Sequence, residues 1–207
     1  MTTLLQIDSS ITGPNSVSRT LTAAIAEKLR KADPGLQVIH HDLAAAAPAH
    51  VTPANFPSAH PISAAAGDAP EFAAGRAASD AILDEFLGAD IIVIGAPMYN
   101  FTIPSQLKAW IDRILVPGKT FAYGADGLKG LAGSKRVIIA VTRGNFYGPD
   151  QPVASFEHVE TYLRSVFAFI GITNPEVIIA EGVQLGPDAR QIALDKALQQ
   201  AAGLKAA

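Results

Sequence analysis

The 207-residue chain contains no cysteine. That removes disulfides, thiolate metal ligands, a catalytic thiol and any cysteine-based redox centre, and it agrees with a reducing compartment. Charge is also scarce. Asp, Glu, Lys and Arg make up 17% of residues and the net charge is −3, so there is no basic footprint for nucleic acid. No apolar run approaches the roughly 20 residues of a membrane span. The opening MTTLLQIDSS has no charged n-region and enters a strand directly, unlike a signal peptide. A GxGxxG fingerprint and a P-loop are both missing, as are clustered His and Asp residues of metal-ligand type. These absences predict a cytoplasmic protein with no nucleic-acid, membrane or metal partner. At 49% apolar residues the chain can bury a large core, and its length suits one domain over residues 1–207.

The most informative stretch runs from Ala89 to Leu115, ADIIVIGAPMYNFTIPSQLKAWIDRIL. Ile91 to Ile94 is a β-branched run closed by Gly95, as expected of a parallel strand covered on both faces. Leu107, Trp110, Ile111, Ile114 and Leu115 keep helical spacing, with Pro104 in the expected first turn, where a missing N–H costs little. Between strand and helix lies Ala96-Pro97-Met98-Tyr99-Asn100-Phe101-Thr102, too aromatic for a merely solvated turn. In open α/β sheets ligands bind outside the carboxyl ends of the strands, so this loop predicts a flat, partly aromatic ligand.

Further strands are expected at Thr3 to Ile7, Leu36 to His41, Arg136 to Val141 and Val177 to Ala180. Helices are expected at Arg19 to Lys31, Glu71 to Leu87, Phe156 to Ile170 and Pro187 to Ala202. Ser9, Ser10, Thr12, Ser16 and Ser18 surround the start of the first helix, where free N–H groups and the dipole favour an anion. With few glycines and no Lys-Ser/Thr, a monophosphate is preferred to a pyrophosphate, although Ser16 or Ser18 could serve only as an N-cap. His40 and His41 should point to opposite faces of their strand. The Pro-rich Ala44 to Pro70 reads as a long excursion, either a surface that packs on a partner subunit or a wall of a pocket. Pro117 to Gly133, with five glycines and the Phe121/Tyr123 pair, reads as a hairpin-like insertion. Thr142 to Asn145 should form a second loop beside the aromatic one, with Arg143 either at the ligand or in an ordinary salt bridge. Five alternations of strand and helix predict an α/β, doubly wound, five-stranded parallel sheet, order 2-1-3-4-5, with helices on both faces. The phosphate loop and the aromatic loop then meet at the switch point. A phosphate plus a flat ring is the outline of FMN.

From end to end the chain resembles the FMN-dependent NADH azoreductases of the flavodoxin-like quinone reductase superfamily. The Ser-rich loop, GAPMYNF, PSQLKAWIDRI and GKTFAY are shared with the superfamily; MYNF, GLKGL, TRG and FIGITNPEVIIAEG fit the azoreductase branch. The resemblance implies FMN contacts at Ser10, Ser16, Val17, Ser18, Met98, Tyr99, Asn100, Phe101, Thr142, Arg143, Gly144 and Asn145. Ser10 and Ser16 to Ser18 would hold the phosphate, Met98 to Phe101 the ribityl chain and flavin, and Thr142 to Asn145 the pyrimidine edge. Thr142 and Asn145 depart from the family's Ser-Arg-Gly-Gly; Asn tolerates a left-handed backbone, so the loop shape should survive, with Asn145 crowding one edge. Thr12-Gly13-Pro14-Asn15 departs from the basic loop common in relatives, which would weaken phosphate affinity.

The same resemblance implies a homodimer with shared pockets and a two-electron ping-pong cycle. NADH or NADPH reduces the flavin and a quinone or azo compound reoxidises it, with no catalytic side chain required because the flavin carries the chemistry. The Ala44 to Pro70 loop and Phe121/Tyr123 would be pocket walls, and Phe56, Tyr123 and Phe167 or Phe169 would select flat substrates. Alternatives on the same fold are a flavodoxin-type electron carrier, a phosphoesterase and a non-enzymatic effector-binding domain. The mild charge argues against the first, and the absence of clustered His/Asp ligands against the second.

Overall fold

The computed structural model describes residues 1–205. In chain order the elements are β1 (Thr3–Asp8), α1 (Val17–Ala32), β2 (Gln37–Asp42), α2 (Pro61–Ala66), α3 (Ala73–Gly88), β3 (Ile91–Pro97) and α4 (Ser105–Ile114). They continue through β4 (Phe121–Gly124), β5 (Gly127–Gly130), β6 (Arg136–Arg143), α5 (Glu160–Phe169), β7 (Glu176–Glu181) and α6 (Pro187–Ala202). Five strands form one parallel sheet in the order β2-β1-β3-β6-β7. The numbering departs from the expected 2-1-3-4-5 because the antiparallel hairpin β4–β5 interrupts the chain without joining the sheet.

Strand periodicity divides the core. Ile92 and Ile94 face a cluster with Phe86, Leu107, Trp110 and Leu163, while Ile91 and Val93 face Leu21, Ile25 and Ala197 on the other side. Alternate side chains of a strand point to opposite faces, so a fully apolar run is what a doubly covered strand needs. His40 and His41 obey the same rule: His40 bonds Asp8 at 2.8 Å and His41 bonds Glu85 at 2.7 Å. Register brings the strand ends level, with Asp8 opposite Gly95 and Pro97 opposite Thr142. The loops after β1, β3 and β6 therefore leave the sheet along one edge.

Several boundaries differ from the sequence-based expectation: β3 runs on to Pro97 and β6 to Arg143, so that Ala96, Pro97, Thr142 and Arg143 end strands rather than belong wholly to loops. Pro104 precedes α4 rather than lying within it. The expected helix at Phe156 starts only at Glu160, because the Glu157 carboxylate accepts the N–H groups of Val159, Glu160 and Thr161 and so caps the helix there. Residues Pro70–Phe72 form a 3-10 turn before α3.

The Ala44 to Pro70 excursion is anchored rather than structureless. It contains α2, and two buried arginines clamp its carbonyls: Arg76 donates to Ser63 and Gly67, and Arg113 to Ala49. Ser58 accepts support from α3 as well, donating its backbone N–H and hydroxyl to Asp80. A charged residue within an apolar helical stripe reads as solvent-facing; here carbonyls satisfy the guanidinium and let it be buried.

The β4–β5 hairpin is pressed against the end of α5 by two glycines. A Cβ on Gly130 would coincide with the backbone of Ile170 and Gly171, while Gly171 itself has φ +98°. Gly130→Ala is expected to destabilise the protein by about 1–3 kcal/mol, the usual range for overpacking against atoms that cannot give. Chemical denaturation would show it as a lower midpoint; an unchanged midpoint would mean that the hairpin rides freely.

Candidate functional site

The loop after β1 is built from small hydroxyl residues folded on themselves. Ser9 Oγ donates to the Gly95 carbonyl at 2.6 Å, and Ser10 Oγ lies 2.9 Å from Thr12 Oγ1. Gly13, at φ +54°, opens a 3-10 turn over Gly13–Asn15 that delivers Ser16 to the start of α1. Ser16 is a true N-cap: its Oγ accepts the Arg19 N–H at 3.2 Å and lies 3.0 Å from Ser18 Oγ. The capping and anion-binding readings of this serine coexist, since the N–H groups of Val17 and Ser18 still have no intrahelical carbonyl to reach. Arg19 braces the outside of the loop, donating to the Ser10 carbonyl and pairing with Asp42. That pairing holds the Asp42 carboxyl below its ordinary value.

The loop after β3 is a strained reverse turn. Tyr99 and Thr102 exchange both backbone hydrogen bonds, at 2.9 and 3.2 Å, around Asn100 (φ +47°) and Phe101 (φ +75°). These two are the left-handed non-glycine residues among those described, and left-handed backbone costs an ordinary L-residue roughly 1–2 kcal/mol. Expectation had placed left-handed tolerance at Asn145; instead Asn145 sits at the rim, its side chain accepting the Phe146 N–H at 2.8 Å. The strain at Phe101 is held by its surroundings. Its carbonyl accepts the His158 N–H at 3.0 Å, and its ring packs on Phe156 with centroids 5.2 Å apart. Strain held this firmly marks sites where backbone direction matters. Tyr99 ties this turn to the first loop: its hydroxyl accepts the Ile11 N–H at 3.1 Å and lies 3.2 Å from Ser10 Oγ.

The loop after β6 lies alongside. The Met98 N–H donates to the Thr142 carbonyl at 2.8 Å, while Val183 and Gln184 donate to the carbonyls of Arg143 and Gly144. Of the two readings for Arg143, the structure takes the ion pair. Its side chain is 4% exposed and bridges Glu181 at 2.9 Å, Glu160 at 2.9 Å and Glu157 at 3.2 Å, turned away from the cleft. Burial pushes the Glu157 carboxyl up, but the N–H bonds from Glu160, Thr161 and Val159 and the Arg143 charge outweigh it, so Glu157 is held below its ordinary value.

Together the three loops enclose two adjoining hollows, of about 320 and about 710 Å³, within the range of small-molecule sites. Ser10, Ser16 and Val17 line the first, Asn100, Phe101 and Asn145 the second, and Met98, Tyr99 and Gly144 both; Thr142 also lines the first. Ser18, fully buried, acts from behind through Ser16. Thr12, one of the hydroxyls expected at the anion site, and Asn15 of the same loop also line the first hollow, and Tyr147, Val183, Gln184 and Arg190, which were not singled out from the sequence, complete the cleft. EGVQLGP, with its two glycines after the last strand, marks Gln184 as a loop residue; nothing local marks Arg190.

The four aromatic residues expected to select substrates are not brought to this cleft by their own chain. Phe56 stacks on His60, centroids 4.4 Å apart, within the anchored excursion. Tyr123 is 73% exposed on the hairpin, and Phe169 packs against Phe121 at 4.7 Å. Phe167 is fully buried in the core and presents no surface to any ligand. On α5, the two phenylalanines lie two residues apart, so one faces the sheet while the other turns to Phe121 of the hairpin.

A family model described as flavodoxin-like fold matches residues 2–204. A protein of Bradyrhizobium diazoefficiens named FMN-dependent NADH:quinone oxidoreductase 2 is 59% identical over 204 residues, covering 99% of each chain. A Methylorubrum extorquens protein named FMN-dependent NADH:quinone oxidoreductase is 57% identical, also over 99% of each. Among solved structures, an azoreductase from Bacillus anthracis superposes with a TM-score of 0.85 at 30% identity, covering 98% of both chains. By the extent of these matches and by the sheet order and cleft described above, the chain belongs to the FMN-dependent NADH:quinone oxidoreductase family of the flavodoxin-like fold.

Proposed function

We propose that this chain binds FMN in the three-loop cleft and uses it to carry two electrons from NADH to quinones, with aromatic azo compounds as further acceptors. The donor set fits the group. Ser10, Thr12 and Ser16 hydroxyls line one end, beside the N–H groups of Val17 and Ser18 at the start of α1, a donor set suited to an anion. At the other end the Met98 to Phe101 turn and the small Gly144 leave a slot for a planar ring. That convergence in one cleft is the observation that carries the proposal. When bound, FMN supplies the hydride chemistry.

The chain's own residues bind and orient. Ser16, as N-cap, fixes the N–H groups that would hold the phosphate, while Tyr99 keeps the first two loops in register. The left-handed Asn100 and Phe101 would set the backbone that faces the ring, and Thr142, Gly144 and Asn145, which line the cleft, would lie at its polar edge. Among residues lining the cleft, Tyr99 and Tyr147 are the phenols, and no carboxylate lines either hollow. Proton delivery from water suits that lining.

The quinone site belongs to a homodimer in this reading. Tyr123, Phe56 and the hairpin stand exposed or half-exposed, outside their own chain's cleft. Their exposure supports a role as walls of a second copy's cleft. A cytoplasmic location follows from the use of NADH. No helix of the described residues is long and apolar enough to cross a membrane.

The test is an anaerobic titration of the FMN-loaded protein with NADH and then a quinone. One equivalent of NADH should abolish the flavin's visible absorbance, and the quinone should restore it. Reduction that halts after one electron would favour a carrier instead. A chain that takes up no FMN would overturn the proposal.

A further inference from the structure

Two arginines stand beside the hydroxyl loop, and they are differently committed. Arg19 is neutralised by Asp42, which it contacts through both terminal nitrogens, and its remaining donors go to the Ser10 carbonyl. Arg190 donates to the Asn15 carbonyl and, among the described residues, makes no ion pair. It is the cationic residue lining the cleft, on the hollow that also holds Ser10, Thr12, Ser16 and Val17.

Its position follows from the fold. Helices α1 and α6 pack on the same face of the sheet, and each follows a parallel strand, so both begin at the sheet's carboxyl edge. Arg190 lies in the first turn of α6, its N–H bonded to the Gly186 carbonyl at 3.0 Å. Long side chains on a helix lean back toward its N-terminus, which aims this one over the Gly13–Asn15 turn. That turn is uncharged from Ser9 to Ser18, SSITGPNSVS. Hydroxyls and two N–H groups can satisfy phosphate oxygens, but they leave the charge of a dianion uncompensated.

Resting on the FMN reading above, we propose that Arg190 is a phosphate-binding residue of the cleft. It supplies from α6 the positive charge that the β1 loop lacks, and it thereby sets the preference for phosphorylated over unphosphorylated flavin. The guanidinium carries five donors and spends few on Asn15, leaving a fork suited to two phosphate oxygens.

Equilibrium binding of FMN and of riboflavin to the apoprotein, followed by flavin fluorescence, tests this without turnover. Arg190→Gln keeps a donor for the Asn15 carbonyl but removes the charge. It should weaken FMN by about ten- to a hundredfold, the range for a hydrogen bond to a charged group, and leave riboflavin affinity within about twofold. Arg190→Lys should recover part of the loss. The dependence of FMN affinity on ionic strength should be flatter in Arg190→Gln than in the wild type, because a charge pair has been removed. An Arg190→Gln protein that binds FMN as the wild type does overturns the assignment. So does an equal loss for both flavins, or a loss independent of salt, since either would make Arg190 only a brace for the loop. A wild-type chain that binds neither flavin fails the FMN reading itself, a result distinct from both.

Discussion

Ser16→Asp should yield a folded protein that no longer retains FMN. Asp caps helices as well as Ser does, so the bond to the Arg19 N–H and the start of α1 should survive. The new carboxylate, however, sits among the donors that would hold a phosphate. Two like charges about 4 Å apart repel by about 4 kcal/mol in partly screened surroundings, close to three orders of magnitude in affinity. Gel filtration should separate protein from flavin, with the melting temperature within a few degrees of the wild type. Riboflavin, which lacks the charge, should bind with little change. If Ser16→Asp carries FMN through the column as the wild type does, the phosphate lies elsewhere and the anion site is misplaced.

Arg143→Met should be the most destabilising of the substitutions considered. The side chain is 4% exposed and lies within 3.2 Å of three carboxylates, of which Glu157 is itself only 8% exposed. Removing the cation breaks this buried cluster and leaves Glu157 with only its helix-cap N–H bonds, Glu160 with Arg164 and Glu181 with the Tyr147 N–H, which costs about 3–5 kcal/mol, a large part of a typical total of about 5–15 kcal/mol. The loss should depend on pH in a definite direction. In the wild type, Glu157 is held below its ordinary value, so its contribution is complete above that value of 4.5 and is lost as pH falls through the depressed one. Without Arg143 that depression shrinks, while the N–H bonds from Glu160, Thr161 and Val159 still hold the Glu157 carboxyl down. Its deficit in denaturant midpoint relative to the wild type should therefore stay level above the ordinary value of 4.5 and narrow as pH falls below it. A deficit that stays constant below it as well would assign the loss to packing rather than to charge.

The outline of this protein was legible in its sequence because it rests on local patterns. Apolar runs such as IIVI and VIIAV can only be doubly covered strands, and their alternation with helices implies a parallel sheet. The hydroxyl loop before α1 and the MYNF loop after β3 were likewise visible as small and aromatic clusters where loops belong. Periodicity did not say what a polar residue does once a helix face is chosen. Arg76 and Arg113 lie within amphipathic helices, yet both are buried because backbone carbonyls from a distant excursion meet them. Arg143 follows the same logic, since its carboxylates come from two separate places along the chain, the start of α5 and the end of β7.

By itself, then, the sequence determined the fold class, the two leading loops and the kind of ligand they suit. All of these follow from residue type and near-neighbour spacing. Tertiary structure decided which side chains reach the ligand. Gln184 and Arg190 enter the cleft across a separation that no local pattern spans, Arg190 meeting Asn15 over 175 positions. It also decided that Phe167 is core while Tyr123 is surface, although both are aromatic residues beside glycine-containing or apolar segments. The physical reason is the same throughout. Backbone hydrogen bonding and hydrophobic alternation are set by neighbours in sequence, whereas desolvation and charge pairing are set by neighbours in space.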